Sequence, residues 1–289
     1  MELISGKIIS EIKRIEIKEK IFKIKQMTGK VPGLATILVG KNVASQMYIK
    51  SKIRACETAG IESFHYNLDE DSSEKEVINL IKNLNNDAKI DGILLQLPLP
   101  ENKNVRECIG AISPLKDVDG LHPFNVGSLS LSKNWSEIIE KNILVSCTPL
   151  GIIHLLHKSN IKIEGKTVVV IGRSNLVGKP LSMLLLASDA TVVVAHSRTE
   201  NLREICKRAD ILVVAVGKPN FINKDFIKNG ATVIDVGINR TIEGLCGDVD
   251  FDSVKSMDIK VTPVPGGVGP MTISMLLENS LKAFKNRKN

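Results

Sequence analysis

Tyr48 and Lys52 stand four residues apart in the run Ser45-Gln-Met-Tyr-Ile-Lys-Ser-Lys52, so in a helix the phenol and the amine share one face. The helical neighbours of Lys52 at three and four residues are Tyr48, Ile49, Ala55 and Cys56, and none is a carboxylate. An amine with no counter-ion that is also withdrawn from water loses its preference for the charged form, and it can then carry a proton near neutral pH. The same spacing also suits a lysine that lays its stem along a helix edge and keeps its head in water. Gln96 closes an apolar run, Gly92 to Leu97, and leads into Leu-Pro-Leu-Pro, which puts a polar group at the mouth of a crevice where a parallel strand ends. Asp117 and Asp119 in Lys-Asp-Val-Asp-Gly offer two carboxylates. One could accept paired N–H donors from a heterocycle, and the alternative is a turn closed by Asp-Gly.

A second kind of chemistry is written between Val168 and Pro180. Four apolar residues, Gly172, then Arg-Ser-Asn-Leu-Val and Gly178-Lys-Pro make a strand, a glycine turn and a helix start, the arrangement that offers backbone N–H groups to a pyrophosphate. Ser174 stands where a full Gly-x-Gly-x-x-Gly would have its second glycine, so the signal is partial and an ordinary strand-to-helix turn is the alternative. The next strand ends in Ala195-His-Ser-Arg-Thr199 without the carboxylate that would bond a ribose 2′-hydroxyl. Arg173, Ser197 and Arg198 instead provide charge and donors suited to a 2′-phosphate, so NADP is expected rather than NAD. A third stretch, Val261 to Thr272, packs Pro263, Pro265, Gly266, Gly267, Gly269 and Pro270 into one loop, rigid and permissive by turns, and reads as a ligand-lining wall.

These groups need a scaffold, and the hydrophobic pattern supplies an α/β one. Isoleucines at 8, 12, 15, 17, 21 and 24 mark an amphipathic first helix ending at Thr28-Gly29. Strands over 34–39, 63–68 and 92–97 alternate with helices over 43–59 and 73–84, which requires a parallel sheet with crossover helices. A short helix near 105–112 follows, then an irregular stretch, 113–142, that no single element fits. After a helix over 148–158, a second alternating set has strands at 167–171, 191–195, 211–216, 231–236 and 259–261, and it reads as a doubly wound domain. The last helix is expected over Met271 to Phe284, with Pro270 at its first position. The predicted fold class is α/β with two domains: an N-terminal α/β catalytic domain over 1–142, completed by 270–289, and a doubly wound Rossmann-type domain over 143–269, with a cleft between them.

Composition narrows the function classes. A chain of 289 residues with 43% hydrophobic and 25% charged residues is globular, and no apolar run has the length of a membrane span. The start, Met-Glu-Leu-Ile-Ser-Gly, has no features of a secretory signal, so a cytoplasmic location is expected. Cys56, Cys108, Cys147, Cys206 and Cys246 are scattered without Cys-x-x-Cys spacing, and His154 and His157 have no acidic partner motif, so neither a disulfide framework nor a metal site is expected. Net charge is +7, but the lysines are dispersed and aromatics make up 3%, which argues against a nucleic-acid partner and leaves a solvated surface or a polyanionic small substrate.

Taken together the motifs resemble those of the bifunctional methylenetetrahydrofolate dehydrogenase/methenyltetrahydrofolate cyclohydrolase, or FolD, family, from about Ile4 to Phe284. The matching stretches are 44–52, 96–100, 116–120, 147–149, 172–180, 196–199, 235–239 and 263–272. The resemblance implies that Lys52 handles the proton, Tyr48 stacks on the folate, Gln96 positions the lysine and Asp119 grips the pterin. It further implies that Leu97, Pro265, Gly266 and Gly269 line the folate side, and that Gly172, Arg173, Ser174, Ser197, Arg198 and Ile238 hold NADP. Tetrahydrofolate derivatives, polyglutamylated ones included, would be the substrates, and the molecule would be a homodimer joined through its cofactor domains, with no nucleic-acid or membrane partner. Ser146 departs from the family pattern, which has a Pro before Cys-Thr-Pro. A dehydrogenase alone, with Lys52 only binding substrate, is the rival within enzymes.

Overall fold

The computed structural model describes residues 1–242 and 244–287. In chain order the elements are β1 (Glu2–Leu3), α1 (Gly6–Thr28), β2 (Gly33–Val39), α2 (Val43–Ala59), β3 (Glu62–Leu68), α3 (Glu74–Asn86), β4 (Gly92–Leu95), α4 (Val105–Gly110), α5 (Pro123–Leu131), α6 (Trp135–Glu140) and α7 (Cys147–Lys158). There follow β5 (Thr167–Ile171), α8 (Gly178–Leu186), β6 (Thr191–Ala195), α9 (Leu202–Cys206), β7 (Ile211–Val214), β8 (Thr232–Asp235), β9 (Asn239–Thr241), β10 (Gly244–Cys246), α10 (Phe251–Val254), β11 (Lys260–Val261) and α11 (Val268–Asn286).

The chain forms two compact units. One contains Ile12–Ser128, Asn142–Cys147 and Ile273–Asn289; the other contains Met1–Glu11, Leu129–Lys141 and Thr148–Thr272. These units depart from the expected boundaries in four places: 1–11, 129–141, 143–147 and 270–272. Residues 1–11 group with the larger sheet because β1 pairs in parallel with β11, and 129–141 also leave the N-terminal unit.

The first unit is built on a parallel three-stranded sheet of order β3-β2-β4. β2 lies in the middle and is buried along its whole length, as its unbroken apolar run requires. Its C-terminal end leads into α2, whose start is capped by Asn42 accepting from the Ser45 N–H and whose end is turned by Gly60 at φ 84°. α3 opens with a reciprocal cap in which Ser73 and Glu76 bond each other's backbone N–H. Ile37, Val77, Ile81, Ile90 and Ile93 form the fully buried centre of this unit. α1 is the expected helix, and its isoleucines fall into two sets. Ile17 and Ile21 are buried, whereas Ile8, Ile12 and Ile15 are 59%, 51% and 58% exposed. The step from Ile15 to Ile17 turns the helix by about 200°, so the two sets occupy opposite faces.

The second unit is a six-stranded sheet of order β1-β11-β8-β7-β5-β6, parallel at every pairing. Without β1, that order is the 2-1-3-4-5 variant of the doubly wound fold, whose direction reverses at the β5/β7 boundary. Its core runs through Val169, Leu212, Val214, Val233 and Val261. Several elements differ from expectation. α5 and α6 occupy the stretch taken as irregular, and β1, the antiparallel hairpin β9-β10 and α10 add to the pattern. β4 ends at Leu95 rather than Leu97, although the Gln96 N–H still bonds the Ile37 carbonyl. α11 begins at Val268, which puts Pro270 inside its first turn, where a missing N–H is tolerated, and not at its first position. No helix among the described residues is long and apolar enough to cross a membrane.

Candidate active site

Two neighbouring parallel strands bring the first constellation together. α2 follows β2, Gln96 follows β4, and β2 pairs with β4 in register, so both connections leave the sheet at the same carboxyl edge. There Lys52 is only 5% exposed, and its Nζ donates 3.0 Å to Gln96 Oε1. Gln96 Nε2 donates to the Leu97 carbonyl, which fixes the amide so that its oxygen must face the lysine. The Nζ also sits 4.5 Å from the centre of the Tyr48 ring, so the pair four residues apart does share a face.

Burial is the largest influence on Lys52 and lowers its pKa, opposed by the negative charge of Asp119 and by Cys147 and Cys56. The neutral neighbours inferred along α2 therefore have the expected effect, and an acid from elsewhere in the chain tempers it. The structure also separates the two aspartates. Asp117 is buried and already satisfied, accepting from the His122 N–H and Asn125 Nδ2. Asp119 is half-buried and next to Lys52, and it is the one able to take a ligand. Cys147, one of the cysteines for which the sequence indicated neither a disulfide nor a metal, is buried and lies in the same group. Burial and the nearby Asp119 push its thiol well up, so it is neutral and donates 3.3 Å to the Val118 carbonyl. Its position at the head of α7, in Cys-Thr-Pro, was the available signal.

The second constellation lies along the carboxyl edge of the six-stranded sheet. Gly172 has φ 125°, and a Cβ there would collide with the Ala215 carbonyl oxygen; one at Gly178 would collide with the Gly172 carbonyl. The turn between β5 and α8 is thus closed to side chains, leaving backbone at its surface. Arg173 and Ser174 are exposed on it, although Ser174 Oγ accepts from the Val177 N–H and so also closes the turn. β6 is the partner of β5, and its end forms a tight turn in which His196 Nδ1 accepts from the Arg198 N–H, with Ser197 and Arg198 exposed. Two cations and hydroxyls at adjacent strand ends, beside a turn with no side chain in the way, fit a dinucleotide carrying a 2′-phosphate.

Further along the same edge, Ile238, 59% exposed, lines a cavity of about 160 Å³ with Pro265, Gly266 and Gly269. Buried Asp235 also lines it, and a second buried acid, Asp248, donates its N–H to Asp235. Asp235 accepts from the N–H groups of Gly237, Asp248 and Val249, and Asp248 from those of Val216, Gly217 and Lys218. Burial pushes the Asp235 carboxyl up to about 6. Neither acid was singled out from the sequence, because their partners are backbone groups distant in the chain. No cluster of His, Cys, Asp or Glu able to hold a metal occurs among the described residues.

The chain matches the model of the tetrahydrofolate dehydrogenase/cyclohydrolase catalytic domain over residues 4–119 and that of the family's NAD(P)-binding domain over 146–288. It belongs to the tetrahydrofolate dehydrogenase/cyclohydrolase family. It is 51% identical over 284 residues to the bifunctional protein FolD of Agathobacter rectalis, covering 98% of this chain and 99% of that one. The crystal structure of the FolD methylenetetrahydrofolate dehydrogenase/cyclohydrolase of Campylobacter jejuni superposes with a TM-score of 0.94 at 46% identity, covering 99% of each chain. That of the Trypanosoma brucei family member, complexed with NADP cofactor and inhibitor, superposes with a TM-score of 0.92 at 36% identity, covering 99% of this chain and 98% of that one. The two family models meet the two constellations one to one: Lys52, Gln96 and Asp119 fall in the catalytic match, Gly172 to Ser197 in the nucleotide match.

Proposed function

We propose that Lys52 carries the proton in a two-step folate conversion, with Tyr48, Gln96 and Asp119 holding the folate against it. The protein oxidises 5,10-methylenetetrahydrofolate to the 5,10-methenyl form with NADP and hydrolyses that product to 10-formyltetrahydrofolate. The observation that carries the residue assignment is the buried Lys52 amine bonded to Gln96 above the Tyr48 ring. Bound NADP supplies the acceptor for the hydride that leaves the methylene carbon. The chain's part in that step is alignment, which can be worth several powers of ten by itself.

In the hydrolytic step a water adds to the methenyl carbon and loses one proton, the bond from the carbon to N5 breaks as N5 gains a proton, and the remaining hydroxyl proton leaves to solvent as the formyl C=O forms. A neutral Lys52 takes the first proton and returns one to N5, so the lysine ends as it began. Its lowered pKa makes the neutral form available, and Gln96, whose own amide is fixed, holds the Nζ in one place. Asp119 is assigned to the N–H donors of the pterin, and Leu97, Pro265, Gly266 and Gly269 to contacts with the folate. Gly172, Arg173, Ser174, Ser197, Arg198 and Ile238 are assigned to NADP.

The folate is assigned to the unit built on Ile12–Ser128 and NADP to the unit built on Thr148–Thr272. The substrates include polyglutamylated folates, the location is cytoplasmic, and neither nucleic acid nor membrane is a partner. A homodimer through the cofactor domains is supported by β6, an edge strand whose Val193 and Val194 are 36% and 40% exposed, next to Leu186 at 58%. Sedimentation equilibrium should return twice the chain mass, and Val194→Asp should return one.

The overall assignment is tested by adding methylenetetrahydrofolate and NADP and following absorbance at the reduced nucleotide and the methenyl product. Asp119→Ala is expected to weaken folate binding by about 1.5–3 kcal/mol, the worth of hydrogen bonds to a charged group, and to leave NADP binding intact. Calorimetric titration giving unchanged folate affinity would refute the pterin role.

A further inference from the structure

Asn279 sits on α11 with no exposure at all, 161 residues along the chain from Val118 and 134 from Val145. Its Nδ2 donates 2.8 Å to the Val118 carbonyl and 2.8 Å to the Val145 carbonyl, and it approaches Cys147 Sγ at 3.6 Å. Both amide hydrogens are therefore used, and the amide cannot be turned over without setting its oxygen against two other oxygens. Asn279 Oδ1 is buried and has no hydrogen-bond partner. An apolar residue of the same shape would avoid that cost, so what the position retains is the pair of N–H donors.

Those donors grip the chain immediately before Asp119 and two residues before Cys147. Val118 precedes Asp119, and its carbonyl also receives the Cys147 thiol; Val145 lies two residues before Cys147. Asp119 and Cys147 are the groups from outside α2 that lie close enough to act on Lys52, and with the thiol neutral the charge is that of Asp119. The amine also interacts with Gln96, the Tyr48 ring and Cys56. One amide on the last helix thus ties together the two segments that face the lysine across from its own helix.

We infer that Asn279 is a positioning residue for the proton-carrying lysine, fixing Asp119 and Cys147 at Lys52 through the Val118 and Val145 carbonyls. The inference rests on the assignment of Lys52 as proton carrier. Without the clamp the 118–119 segment moves, Asp119 no longer holds its place beside the amine, and the attraction that keeps the Lys52 pKa from falling further is lost. A neutral base with a lower pKa stays active to lower pH but accepts a proton less readily.

The test is the pH–rate profile of methenyltetrahydrofolate hydrolysis, without nucleotide, for Asn279→Asp and Asn279→Ser. Asn279→Asp keeps the shape but cannot donate twice; Asn279→Ser keeps one shorter donor and guards against a variant that fails to fold. The expected result is kcat down by about 10-fold or more, the acidic limb of the profile moved to lower pH, and NADP affinity unchanged. A folded variant with the parental profile and kcat would overturn the positioning role, as would a loss of kcat with the limb unmoved, which is what a general loosening would give. Lys52→Met, run beside them, separates the two claims. If it hydrolyses at the parental rate, the lysine assignment fails; if it is inactive while the Asn279 variants are normal, only the clamp fails.

Discussion

Lys52→Met is expected to lower the turnover of methenyltetrahydrofolate hydrolysis by roughly 10²–10⁴, the usual worth of general acid–base catalysis. Methionine keeps most of the stem that packs between α2 and the sheet and removes only the transferable proton. The assay starts from methenyltetrahydrofolate and follows ring opening above the spontaneous rate. A folded, folate-binding Lys52→Met protein with the parental rate would show that another group carries the proton. Dehydrogenase activity is the poorer readout, because that step needs alignment and Lys52 can contribute to it without moving a proton.

The same substitution carries a stability signature of opposite sign. Burial lowers the Lys52 pKa in the folded chain, so below the ordinary lysine range folding must either strip a proton from the amine or bury the charge. That cost is present at neutral pH and fades as pH rises towards 10.5, where the unfolded chain loses its proton too. Lys52→Met should therefore match or exceed the parent in denaturant at pH 7, and its advantage should shrink by pH 10. A variant that is less stable at pH 7 and no better placed at pH 7 than at pH 10 would contradict a net cost of burying the amine.

Arg173→Ala should remove most of the preference for NADP over NAD. The parent is expected to use NADP far better, because the ends of β5 and β6 supply Arg173, Ser197 and Arg198 and no carboxylate. A charge-assisted contact to a 2′-phosphate is worth about 1.5–3 kcal/mol, or roughly 10- to 150-fold in catalytic efficiency with NADP, and efficiency with NAD should hardly change. Arg173 is exposed on its turn, so the lower end of that range applies and the effect should weaken with salt. Equal efficiency with both nucleotides in the parent would sink this reading of the turn.

What the sequence displayed best were features carried by consecutive residues. β5 and β6 match their expected bounds because each is a β-branched run with clear boundaries. Gly172 and Gly178 announced a turn, and Tyr48 and Lys52 announced a shared helix face. Elements with weaker local signals were lost. β1 is two exposed residues with no periodicity to detect, and it exists because β11 offers an open edge. α5 begins at Pro123, a starting signal that was present, but Gly127 and three polar residues within nine dilute its helical pattern. The parts of the site that stayed hidden were those assembled across distance. Which aspartate was free to bind depended on Asn125 and the His122 N–H having claimed Asp117. Asn279 meets Val118 and Cys147 only through contacts spanning more than a hundred residues.

The pairing of β1 with β11 also bears on how the chain is made. Glu2 and Leu3 are made long before Lys260 and Val261, and have no partner until those residues follow. Asp119 waits in the same way for Asn279, whose amide holds the neighbouring carbonyl. Each compact unit thus completes its contacts with residues from the last thirty of the chain. At about 5–20 residues per second, both units spend most of synthesis with an unpaired edge or an open side, the condition in which nascent parallel sheets are most exposed to aggregation. A nascent chain stalled before Lys260 should be protease-sensitive throughout, whereas one released after Asn286 should become resistant in both units together.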